Sequence, residues 1–120
     1  MPRLALPLTL AALLGACAST PPDAAAFHAQ EALRWERQFK TCAVAYTERF
    51  DAALPPATRA QQAVSACSAV LSAYQLRQRD FYLSSQPGQP ADLAWAHAEA
   101  DGRRLEFAIM QLLLQRQTPG

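Results

Sequence analysis

The three cysteines carry the most reactive side chains of this 120-residue chain, and their positions indicate two different uses. Cys17 follows a short apolar segment near the start, whereas Cys42 and Cys67 lie inside long helix-forming stretches. A cysteine thiol can be acylated, ligate a metal or pair as a disulfide. No Cys-x-x-Cys spacing is present, so the sequence does not indicate a redox motif.

The segment before Cys17 has the order of a secretory signal peptide, which we assign to residues 1–16. A basic residue, Arg3, precedes an apolar run over residues 4–14, and the small residues Gly15 and Ala16 follow. The run has about 11 residues, whereas a membrane-spanning helix needs roughly 20. We therefore expect the segment to be removed after export and not to remain as a membrane span.

The four residues Leu14, Gly15, Ala16 and Cys17 resemble the lipobox of bacterial lipoproteins. That resemblance implies that Cys17 is lipidated and becomes the first residue of the mature protein. Because Ala18 and not aspartate follows, it also implies an outer-membrane anchor with the domain facing the periplasm. The alternative is an ordinary signal peptide that has Cys17 near its end by coincidence.

The remaining pair, Cys42 and Cys67, predicts a structural disulfide. Export places the two thiols in an oxidising compartment, where an even number of cysteines favours pairing. Both are equidistant from a point near Leu54 in the break Leu54-Pro55-Pro56, so an antiparallel helical hairpin holds them at one height. Closing a loop of this size stabilises a fold by about 3.5 kcal/mol. Two buried free thiols or a metal-binding pair are the alternatives, and a lone pair of cysteines is a poor zinc site.

Composition predicts a single all-α domain. Glycine is rare, and long stretches are rich in alanine, leucine, glutamine, arginine and glutamate, which favour helices. Without Arg3, ten basic side chains balance ten acidic ones, so there is no basic excess for nucleic-acid binding. The 104 residues that follow the signal peptide suffice for one domain.

Apolar residues at three- and four-residue steps predict three helices. Pro55-Pro56 and the breaker-rich segment 84–90 separate them. The expected fold is an antiparallel up-down-up three-helix bundle with one inter-helix disulfide. Asp101-Gly102 interrupts the third apolar stripe, and we expect it to weaken or bend that helix. The expected regions are a short tether over 17–22 and a helical domain over 23–117, with helices over about 22–53, 56–84 and 91–117.

The apolar end of the third helix is the first candidate binding site. It is apolar over more than one face, and a helix with two neighbours needs only one broad stripe. The surplus predicts a surface patch for a protein partner or for self-association. Alternatively, these residues fill the core opposite the small residues of the second helix. The candidate patch consists of Phe107, Met110, Leu113 and Leu114.

Two weaker candidates lie at the opposite end. His28 and His97 are expected at similar heights, as a metal site would require, but similar height does not show that the two side chains face each other. The segment 77–82 interleaves arginines with aromatic residues, a pattern that can bind phosphate or lipid headgroups. A solvated helix end with local ion pairing is its alternative. A separate pair, Trp35 and Trp95, could stack on a sugar or a peptide, but at helical spacing tryptophans are more often core or half-buried packing residues.

The sequence contains no nucleophile motif and no phosphate-binding glycine loop, so we predict no enzymatic activity and no cofactor. We expect a lipid-anchored helical protein that binds another protein as an accessory or structural component of the cell envelope. One alternative is a periplasmic immunity or inhibitor lipoprotein that neutralises a toxin or hydrolase. The other is a carrier of a small ligand or metal. The predicted partners are the membrane, through Cys17, and a protein, with no nucleic acid.

Overall fold

The computed structural model describes residues 23–118, which form four α-helices and no β-strand. The helices are α1 (Ala24–Arg49), α2 (Pro56–Ala66), α3 (Ser68–Ser85) and α4 (Ala91–Gln117). The all-α class is confirmed. The predicted signal peptide, Cys17 and the tether lie outside the described residues.

The prediction of three helices is wrong because the second one is broken at Cys67. The backbone N–H of Cys67 donates to the Val64 carbonyl, three residues earlier, and Cys67 has φ −102° and ψ 17°. No proline or glycine marks this position. Ser65, Cys67 and Ser68 are weaker helix formers than the leucine and glutamine on either side, and Cys67 is the residue tied to α1 by the disulfide. The break therefore falls where local propensity is low and a tertiary bond is attached.

Helix α1 ends at Arg49, four residues before the predicted end at residue 53. Phe50 is extended, and the Asp51 carboxylate accepts a hydrogen bond from the Ala53 N–H at 2.9 Å. The Leu54 N–H closes the turn on the Asp51 carbonyl. An aspartate that bonds the backbone two residues ahead favours a turn over a continued helix.

Cross-helix hydrogen bonds establish the chain directions. Helix α1 runs antiparallel to α2 and α3, and α4 runs antiparallel to both of them. Helices α1 and α4 each pack against α2 and against α3, and α1 also contacts α4. The bonds join Arg59 Nη2 to the Thr47 carbonyl at 2.9 Å, Arg77 to His28 at 3.4 Å, Gln117 Nε2 to the Pro56 carbonyl at 3.1 Å, and the Tyr82 hydroxyl to Asp101 at 2.5 Å.

The core combines a few large side chains with many alanines. Phe39, Leu113 and Cys67 are the largest side chains that are fully buried. Burial of a side chain such as Phe39 stabilises a fold by about 1.5–3 kcal/mol. Four buried alanines belong to the same core cluster as these three side chains, and they are Ala32, Ala43, Ala60 and Ala63. Ala94 and Ala98 are buried on α4 outside that cluster.

The predicted disulfide between Cys42 and Cys67 is confirmed. It joins the middle of α1 to the junction of α2 and α3, across 25 positions of the sequence and a Cα–Cα distance of 6.1 Å. Cys67 is buried, whereas Cys42 is half-buried at the edge of the core. The bond thus lies inside the packing between the first two antiparallel limbs.

Gly102 of α4 packs tightly against the Gln75 side chain of α3, a contact between helices that periodicity along one helix does not predict. Gly102 is buried within the continuous helix α4. A Cβ atom at this position would lie 2.7 Å from Gln75 Cγ and still closer to Gln75 Nε2. An alanine here would therefore require the half-buried Gln75 side chain to move. The expected weakening or bend is not accompanied by any interruption of α4.

Breaking the disulfide tests its contribution to stability. We expect Cys42→Ser/Cys67→Ser to lower the free energy of unfolding by about 3.5 kcal/mol, since the unfolded chain loses a covalent constraint. Urea denaturation of the oxidised protein and the double variant measures the difference. Reductant should destabilise the parent protein and leave the variant unchanged. Two free thiols in the exported protein, found by mass spectrometry, would contradict the pairing.

A two-background experiment tests the packing role of Gly102. In the parent protein, Gly102→Ala should lower the free energy of unfolding by about 1–3 kcal/mol, because the methyl group collides with Gln75. In a Gln75→Ala background the same substitution should be stabilising by about 1 kcal/mol, since alanine is the better helix former. Urea denaturation of the four proteins reports both values. If Gly102→Ala changed the free energy of unfolding in the same direction in both backgrounds, the steric explanation would be refuted.

Candidate functional site

The outer side of α4 carries the apolar surplus that the sequence predicted, but only three of the four candidate residues reach the surface. Phe107 is 66% exposed, the largest exposure among the large apolar side chains of the described chain. Met110 and Leu114 are half-buried and rest against the core. Leu113 is 1% exposed and belongs to the core. Its inclusion in the patch was wrong because it lies on the buried stripe of α4, four residues after Ile109.

We call Phe107, Met110 and Leu114 the α4 face. They occupy steps of three and four residues, so they form one ridge along the helix. A shallow depression of about 280 Å³ follows the ridge, and polar side chains border it. An apolar centre with a polar border is the usual anatomy of a protein-binding surface. The bordering residues are Arg103, Glu106 and Gln111.

Truncation separates the core position from the surface position. Leu113→Ala should lower the free energy of unfolding by about 2–5 kcal/mol because it leaves a cavity. Phe107→Ala should change the same quantity by less than about 0.5 kcal/mol because the ring is exposed. Chemical denaturation of both variants measures the values. Similar losses from both would show that Phe107 also stabilises the fold.

Two larger depressions follow α1, with volumes of about 530 and 520 Å³. Arg37 and Thr41 border both of them, so the two adjoin along one side of the helix. Arg34 at one end is paired with Glu31 at 2.7 Å, and Arg116 approaches Glu48 at 3.8 Å at the other. No aromatic side chain lines either of these open depressions, whereas Phe107 lines the one on α4.

A polar cluster around Asp101 joins α3 to α4. Asp101 is buried, and its Oδ2 accepts hydrogen bonds from Gln78 Nε2 at 2.9 Å and from the Tyr82 hydroxyl at 2.5 Å. Its Oδ1 pairs with the Arg104 guanidinium. Burial, reinforced by the Glu36 carboxylate, raises the pKa of the nearby Tyr74 hydroxyl above its ordinary value, so this group stays protonated at neutral pH.

The Asp101 cluster acts as a cross-link between helices. A buried carboxylate is tolerated when donors satisfy its oxygens, and here two donors from α3 and one from α4 do so. The sequence held a signal for it, because position 101 is three residues after Ala98 and four before Leu105 on the buried stripe. A charged residue on that stripe is the signal from which a buried polar contact can be predicted.

The two histidines have different neighbours. His28 Nδ1 lies 3.4 Å from the Arg77 guanidinium, and its ring meets Phe27 edge-on at 5.3 Å. His97 is exposed, with its ring centroid 5.2 Å from that of Tyr82. Among residues 23–118, no group of three or more His, Cys, Asp or Glu side chains is placed to hold a metal ion. The carrier hypothesis gains no support from this geometry.

The arginines of segment 77–82 make local contacts. Arg79 pairs with Asp80 at 2.7 Å and stacks over Trp95 at 5.2 Å. Arg77 stacks over the Phe27 ring at 5.7 Å. The segment therefore has the local pairing that was its alternative interpretation, together with contacts to aromatic rings of α1 and α4.

None of the described helices combines the length and the apolar character needed to cross a membrane. A scan against protein-family models and searches of curated proteins and of solved structures find no match to this chain.

Proposed function

We propose that the protein is a lipid-anchored component of the bacterial cell envelope that faces the periplasm and binds another protein. In this proposal Cys17 carries the lipid, and the helical domain acts by binding and not by catalysis. The support for the anchor is the resemblance of residues 14–17 to a lipobox. The support for protein binding is the α4 face.

The exposed ring of Phe107 is the observation that carries the binding proposal. Burying an aromatic side chain of this kind is worth about 1.5–3 kcal/mol, and aromatic residues are frequent energetic centres of interfaces. Met110 and Leu114 extend the apolar contact, while Arg103 and Glu106 beside the ridge supply charges of both signs. A helix or groove with an apolar centre is the partner surface that fits this face.

Site-directed photo-crosslinking in cells tests the proposal. A photoreactive residue at Phe107 should give one crosslinked species, whereas the same residue at the exposed Gln61 of α2 should not. A photoreactive residue at Met110 should capture the same species, and adding Phe107→Asp should remove it without lowering thermal stability. A crosslink to a second copy would identify self-association as the binding event. Equal labelling from Gln61 would contradict a specific α4 face.

The same cells test the anchor. Mass spectrometry should find acyl chains on Cys17 at the start of the mature chain, and Cys17→Ser should release the protein from the membrane fraction. A mature chain that keeps an unmodified Cys17 would refute the anchor while leaving the α4 face to be judged by its own crosslinks.

A further inference from the structure

The exposed apolar side chains are concentrated in one half of the described domain. Among residues 23–118, seven large apolar residues are exposed, and the most exposed of them, Phe107, lies near the middle of α4. The other six lie in the first half of α1, from the middle of α3 to its end, and at the start of α4. They are Phe27, Leu33, Leu76, Leu83, Leu93 and Trp95.

Four of these residues lie at the very ends of their helices, and we call them the basal surface. Phe27 is in the first turn of α1, Leu83 in the last turn of α3, and Leu93 and Trp95 near the start of α4. At 1.5 Å per residue, each lies within about 6 Å of its own helix terminus. Peripheral proteins insert side chains to a depth of about 5–10 Å at a bilayer surface. The distance of these four side chains from the helix termini thus matches the depth of an interfacial contact.

The side chains around the basal surface suit a headgroup environment. Trp95 is an amphipathic ring of the type enriched at membrane interfaces. The Arg77 guanidinium stacks over the Phe27 ring and the Arg79 guanidinium over the Trp95 ring, so each apolar ring has a positive charge beside it. Asp23, Asp80 and Asp92 are at the same end and offset these two positive charges. The contact is therefore expected to be apolar and only weakly dependent on salt.

The position of the tether identifies the occupant. The described structure begins at Asp23, at the basal end, and six residue steps separate Asp23 from Cys17. Even fully extended, six residues span only about 20 Å. A lipid on Cys17 would therefore hold the basal surface within that distance of the bilayer. Because the tether is short, a lipid surface is the apolar partner that the anchor would bring to all three helix ends together.

We propose that the basal surface docks on the lipid bilayer, with Leu83, Leu93 and Trp95 entering the interface, so that the domain stands end-on with α4 rising from the membrane. This proposal rests on the lipid anchor proposed above. Its consequence is that the α4 face, about 24 Å along α4 from its first residue to Phe107, is held clear of the headgroups.

The two tryptophans supply a matched test in the full lipidated protein. It is reconstituted in vesicles of phosphatidylethanolamine and phosphatidylglycerol whose acyl chains are brominated. Trp35→Phe leaves Trp95 as the reporter, and Trp95→Phe leaves Trp35, about 16 Å along α1 from its first residue. We expect roughly threefold stronger quenching of Trp95, because quenching requires contact with the lipid interface.

Variants on the surface separate docking from anchoring. Leu83→Ser/Leu93→Ser should reduce the quenching of Trp95 by about half while the protein stays on the vesicles, since insertion depends on buried apolar area. Phe107→Ser, which replaces an exposed apolar residue away from the basal surface, should leave the quenching unchanged. Circular dichroism and thermal unfolding confirm that each variant is folded.

The outcomes distinguish this proposal from the proposed anchor. Lipidated, vesicle-bound protein with equal, weak quenching of both tryptophans overturns the docking and leaves the anchor intact. Protein without acyl chains on Cys17 that fails to join the vesicles overturns both. Trp95 shielded from bromine and from aqueous iodide, together with a crosslinked dimer, overturns the docking in favour of a second copy on the basal surface.

Discussion

The covalent bond between Cys42 and Cys67 sets the register of the structure. It joins the middle of α1 to the α2–α3 junction. The bond therefore fixes which residues of α1 lie opposite which residues of α2 and α3. Toward the turn, Arg59 reaches the Thr47 carbonyl, and toward the other end Arg77 reaches His28. A slip of α1 by one turn would separate both contacts and move Phe39 out of the core.

Helix α4 is held on this framework by small and polar residues as much as by apolar ones. Ala94, Ala98 and Gly102 let its backbone approach α3, and Asp101 supplies a carboxylate that α3 donors satisfy. Close approach and polar satisfaction depend on each other here, because the donors on Gln78 and Tyr82 reach Asp101 only when the two backbones are near. Leu105, Ile109 and Leu113 continue the contact toward the other end as ordinary apolar packing.

The arrangement leaves two kinds of apolar surface, and they are separated along the bundle. The α4 face presents one strongly exposed aromatic ring on the flank of a single helix, with charged residues beside it. The basal surface gathers moderately exposed side chains from three helix ends. The first suits a specific protein contact and the second suits a planar lipid phase. In the proposed orientation the same domain would use its end to face the membrane and its flank to face a partner.

The amino-acid sequence by itself determined the helical class, the cysteine pairing and the approximate limits of the helices. These follow from local propensity, from proline breaks and from the equal distances of Cys42 and Cys67 from the turn. All three can be obtained from positions along the sequence, without knowing which helices pack together. Only the tertiary structure decided the break at Cys67, the packing role of Gly102, the buried partners of Asp101 and the division between Leu113 and Phe107. Each of these depends on which side chain of a neighbouring helix occupies a given space, and periodicity along one helix does not contain that information.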